Sequence, residues 1–109
     1  MFRINNIDWN IKFVNPHNPV LMRDNGDFSV GCCNNYDKTI YLSDELNGFF
    51  LKKVLSHELT HAAMFSYNIS LPIMIEEHVA DIIATYGKDI LSLADLIYQD
   101  IKKDRYQFY

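Results

Sequence analysis

Apolar and polar residues alternate with period two over Ile7-Asp8-Trp9-Asn10-Ile11-Lys12-Phe13-Val14. The pattern predicts a strand with Ile7, Trp9, Ile11 and Phe13 on its inner face. Asn15-Pro16-His17-Asn18-Pro19 ends it, Val20 to Arg23 reads as a short strand or an extended loop, and Asp24-Asn25-Gly26-Asp27 has turn chemistry. Phe28 to Cys33 and Thr39 to Leu42 predict two antiparallel strands joined by a turn over residues 34–38, with an edge open to an extended ligand. The period then changes. Capping and acidic residues at Ser43-Asp44-Glu45-Leu46-Asn47-Gly48 precede a helical pattern from Phe49 to about Phe65, which Asn68 to Pro72 breaks. A second helix is predicted from Pro72 or Ile73 to Tyr86 with Gly87 as its stop. A third, from Asp89 to about Lys102, carries Ile90, Leu93, Ala94, Ile97 and Ile101 on one stripe.

The chain has 109 residues, 49% of them apolar and 14% aromatic, which is the composition of one folded domain spanning residues 1–109. A net charge of -4 and the lack of any Lys/Arg stripe argue against a nucleic-acid surface. Lys102-Lys103-Asp104-Arg105 is mixed in sign and reads as a solvated helix end. Met1-Phe2-Arg3-Ile4-Asn5 has neither the basic start nor the apolar region of a signal peptide, and no apolar run is long enough to span a membrane. A cytoplasmic protein is expected. Cys32 and Cys33 are adjacent, so a bridge between them would be strained; two free thiols in a reducing compartment, packed as small core residues, are expected instead of an added metal ligand.

Chemistry concentrates in Val54-Leu55-Ser56-His57-Glu58-Leu59-Thr60-His61-Ala62-Ala63, a His-Glu-x-x-His motif inside the first predicted helix. Four helical residues turn about 400° and rise about 6 Å, so His57 and His61 share a face and can direct two imidazole nitrogens at one ion. Glu58 lies one residue further round, where a general base for a metal-held water must sit. Leu51, Val54, Leu55, Leu59, Ala62, Ala63 and Phe65 make much of this helix apolar. Two imidazoles and a carboxylate in such a setting need partners, and a metal ion would satisfy all three together.

A zinc site with two histidines needs a third protein ligand. Glu76, Glu77, His78 and Asp81 are the candidates downstream. The spacing favours Glu77, because Asp81 lies one helical turn beyond it on the same face and can accept the remaining N–H of a ligand imidazole, fixing its tautomer. Glu76 and His78 are expected to point away from that face.

His57-Glu58-x-x-His61 followed by Glu77-x-x-Ala80-Asp81-x-x-Ala84 resembles the gluzincin metallopeptidases, and within them most of all the ImmA/IrrE-type peptidases of phage and mobile elements and the minigluzincins. The resemblance covers residues 28–86 or so. It implies an α+β, zincin-like fold in which a small antiparallel or mixed sheet packs on the motif helix and a second, ligand-bearing helix. It further implies zinc, hydrolysis of a protein or peptide substrate, and a phage or mobile-element repressor as a target. The residue steadying the transition-state oxyanion stays open among Tyr67, Tyr86, His78, Arg23 and His17. A zinc metallopeptidase with Glu58 as general base is one expectation; a binding protein of the same fold, with a structural zinc and no hydrolysis, is the other.

Overall fold

Two asparagines set the first reversal of the chain. Asn5 and Asn6 both have positive φ, 48° and 65°, the left-handed pair that a two-residue hairpin turn requires and that asparagine tolerates. They join β1 (Phe2–Ile4) to β2 (Ile7–Val14) in antiparallel register, Phe2 opposite Trp9 and Ile4 opposite Ile7. The alternation in residues 7–14 predicts β2; β1 escapes it because three residues are too few to show a period.

The computed structural model describes residues 1–106, with side chains as far as Asp104, so the side chain of Arg105 at the mixed-charge end lies outside the description. Residues 20–23 are neither strand nor plain loop: a 3₁₀ turn spans Pro19–Leu21, with the Asn18 side chain accepting from the Val20 N–H, and Met22 forms an isolated bridge to Phe28. Two further strands, β3 (Gly31–Asn34) and β4 (Thr39–Ser43), pair antiparallel, Gly31 opposite Leu42 and Asn34 opposite Thr39. β2 and β4 are parallel, so the four-stranded sheet is mixed, in the order β1-β2-β4-β3, with β3 on one edge.

Two helices complete an α+β arrangement: α1 (Gly48–Ser66) and α2 (Ile73–Tyr106). Trp9, Ile40, Leu42, Val54 and Ala62 form the core between sheet and α1. The helix crosses the sheet diagonally. At its C-terminal end it lies over β1 and β2, where the Trp9 indole N–H donates to Ser66 Oγ at 2.8 Å, Phe65 stacks on Trp9, and the Asn5 side chain donates to the Ser66 carbonyl at 2.9 Å. Further toward its N-terminus Val54 and Glu58 sit over Gly31 of β3. The expected inner face of β2 is therefore only half buried. Ile11 and Phe13 lie on the same side as Ile40 and Leu42, but the helix has moved away by that level and leaves them exposed.

α1 ends in a Schellman arrangement: Asn68 has φ 55°, its N–H donates to the Phe65 carbonyl, and the Ile69 N–H donates to the Met64 carbonyl at 2.9 Å. This reverses the chain so that α2 starts after Pro72 and runs back along α1. Gly87 does not stop it. Its backbone is not left-handed, and the two helices predicted on either side of it are one helix of 34 residues. Glycine in a helix interior costs about 1 kcal/mol relative to alanine, too little to break a helix whose apolar stripe continues on both sides. Among the described residues no helix is long and apolar enough to cross a membrane.

Candidate metal centre

The hairpin of α1 and α2 determines which side chains meet. Because the helices are antiparallel, His61 comes opposite the first turn of α2 and His57 opposite the next, where Asp81 lies. His57 Nε2 and His61 Nε2 are 3.2 Å apart, and Glu77 reaches both, Oε2 at 3.2 Å from His57 Nε2 and Oε1 at 2.8 Å from His61 Nε2. One ligand atom each from His57, His61 and Glu77 lies within 4.8 Å of the others, so this group could hold a metal ion.

The other ring nitrogens give that convergence its meaning. His57 Nδ1 lies 2.9 Å from Asp81 Oδ1 and His61 Nδ1 lies 2.8 Å from Glu76 Oε2. Each Nδ1 thus has a carboxylate to donate to, which leaves the two Nε2 atoms and the Glu77 carboxylate facing one point. With each Nδ1 carrying its ring's proton, that point would gather two lone pairs and a carboxylate, an arrangement that a cation between them would satisfy. The donor set, two imidazole nitrogens and a carboxylate oxygen, suits a borderline divalent ion.

Glu76 departs from the sequence expectation. It does not point away: its side chain is buried against α1 and holds His61. Following one face of α2 from Glu77 to Asp81 misses the adjacent one. Glu76 and Ala80 form the seam against α1, with Ala80 fully buried. A small residue four positions after an acid marks where two helices approach closely, and that was the available signal. His78 is exposed and takes no part. Carboxylates that orient metal-binding histidines are typically worth about 10- to 100-fold in metal affinity. Glu76→Ala is therefore expected to weaken binding by that order, and at least as much as Asp81→Ala, since Asp81 is largely exposed. Glu77→Ala should weaken it further than either; isothermal titration with Zn²⁺ ranks the three, and an unchanged affinity in Glu76→Ala would remove its role.

Glu58 sits beside the cluster, 8% exposed. Burial pushes its carboxyl above the usual carboxylate range, with His57 and His61 opposing that shift, so it is poised to hold or release a proton. It packs against Gly31, where a Cβ would come 2.8 Å from Val54 Cγ1 and 3.3 Å from Glu58 Oε2. Gly31 is a site residue that the pattern of the sequence did not single out. Gly31→Ala should push α1 from β3 and cost about 1–3 kcal/mol in denaturant unfolding; unchanged stability would show that the helix is not held this close.

His57, Glu58, His61, Glu76 and Glu77 line one side of an open cleft of about 460 Å³; Gly31, Cys32, Cys33 and the Met22–Arg23 segment line the other. Of the five residues considered for an oxyanion, only Arg23 lines this cleft, and it makes no ion pair among the described residues. His17 instead packs edge-on against Phe28, and Tyr67 and Tyr86 are exposed. Cys32 and Cys33 are free thiols at the cleft wall, outside the cluster. Burial pushes both thiols up, so neither is a thiolate at neutral pH.

Comparison with protein-family profiles, curated proteins and solved structures returns no match.

Proposed function

We propose that this chain is a small zinc-dependent metallopeptidase of the gluzincin kind, with a zincin-like fold, close in type to the ImmA/IrrE peptidases and minigluzincins. The observation that carries the reading is the convergence of two imidazole Nε2 atoms and the Glu77 carboxylate on one point, with Glu58 on the next helical position. Asp81 and Glu76 orient the two rings. Zinc held by His57, His61 and Glu77 would supply Lewis acidity and an acidified water near neutral pH.

The chain's own residues supply the rest. Glu58 takes a proton from the attacking water and returns it to the departing amine, the task for which a buried carboxyl of raised pKa is suited. An extended protein or peptide substrate pairs with the edge strand β3, whose Gly31, Cys32 and Cys33 run along the cleft. Arg23, across the cleft, steadies negative charge on the carbonyl oxygen. The setting we propose is the cytoplasm, with a phage or mobile-element regulatory protein as a substrate.

The test is cleavage of an unfolded protein mixture by metal-free chain reconstituted with one equivalent of Zn²⁺, read by mass spectrometry of new termini. Zinc-dependent cleavage that a chelator removes and zinc restores is expected. Tight zinc binding with no cleavage would leave the alternative, a binding protein with a structural zinc.

A further inference from the structure

α1 has 19 residues and α2 has 34, about 28 Å against about 51 Å of helix. The N-terminal end of α1 comes level with Leu91, where Phe49 and Leu91 line a shared groove. The last turns of α2 therefore project, and the molecule measures 61 Å along its longest axis against 29 and 28 Å across. The face of α2 that packs on α1 at Glu76 and Ala80 continues through Ile83, Gly87, Ile90, Ala94, Ile97 and Ile101, at alternating spacings of three and four. That is a heptad seam. Beyond α1 nothing among the described residues covers the seam or its flanks: Ile90, Ile97 and Ile101 on it, and Leu91, Leu93 and Tyr98 beside it, are each between 45% and 68% exposed.

We infer that this seam docks a second copy of the chain, antiparallel, as a two-helix coiled coil. About fifteen residues of helix without tertiary contacts are marginal in water, because helical stability in proteins comes from covering an apolar face. Covering the six exposed side chains removes roughly 600 Å² from each copy and about 1,200 Å² in all, which reaches the lower bound for a specific interface. The seam fits itself best in one register. With the two-fold axis between Asp95 and Leu96, Ile97 of one copy lies over Ala94 of the other, and Ile90 meets Ile101.

Sedimentation equilibrium of the full chain at about 100 µM tests the inference. A mass of twice 12.8 kDa is expected, falling to one chain in Ile97→Asp and in Ala94→Glu, with Trp9 fluorescence unchanged to show that the sheet and α1 remain folded. Oxidation distinguishes the orientation in a Cys32→Ser/Cys33→Ser background. An Ile90→Cys chain mixed with an Ile101→Cys chain should form the mixed disulfide, and neither variant should cross-link with itself. A wild-type monomer, a dimer that survives both charge substitutions, or self-linking of the single variants would overturn it.

Discussion

His61→Ala is expected to abolish metal binding, because it takes one of three protein ligands from a tetrahedral site and the remaining two cannot hold the ion. The wild-type chain should take up about one Zn²⁺ per chain, and its melting temperature should rise with zinc as any ligand binding only the native state requires. The variant should show neither effect. His61 is also the hydrogen-bond partner of Glu76, itself buried. Its loss leaves that carboxylate without a donor, so the metal-free variant should be less stable than metal-free wild type by about 1–3 kcal/mol. Equal zinc uptake by the two proteins would show that the ion binds elsewhere.

Glu58→Gln has the second large effect, and it separates hydrolysis from binding. Glu58 is not among the three residues that converge, so zinc content should stay near one per chain. General-base catalysis is worth about 10²- to 10⁴-fold, so cleavage of a true substrate should fall by at least the lower figure while the substrate still binds. Stability should move the other way. The folded-state pKa of Glu58 is raised, so ionising it in place costs stability as the pH rises through that value, and glutamine carries no such charge. Metal-free Glu58→Gln should melt higher than metal-free wild type at neutral pH, with the gain vanishing below the ordinary carboxylate range, where both side chains are neutral. If the biological effect survives Glu58→Gln undiminished, the protein acts as a binder and not as a peptidase.

How much of the molecule was legible in the sequence depends on how far each signal reaches. The His-Glu-x-x-His spacing is local, and a helix maps it directly onto one face. The step from Glu77 to Asp81 is equally local, so their shared face on α2 could be read without knowing where α1 lay. Glu76 could not, since its burial depends on how closely two helices approach at Ala80. Gly31 is similar: nothing in Ser29-Val30-Gly31-Cys32 announces that Val54 and Glu58 arrive from 23 and 27 residues away. The period-two pattern placed β2 correctly yet overestimated its burial, because alternation identifies a face and not how much of it a diagonal helix covers. At Gly87 a local stop signal lost to the continuing stripe. The Asn-Asn turn was readable in principle, but the strand before it was too short to make its period visible.

If His57, His61 and Glu77 hold a metal ion, an anomalous difference map recorded at the zinc absorption edge from zinc-loaded crystals will locate it. One strong peak is expected, about 2.0–2.2 Å from His57 Nε2, His61 Nε2 and a Glu77 oxygen, with Asp81 and Glu76 still holding the two Nδ1 atoms. A map with no peak between those three side chains, or with its peak at Cys32 and Cys33, would refute the metal centre.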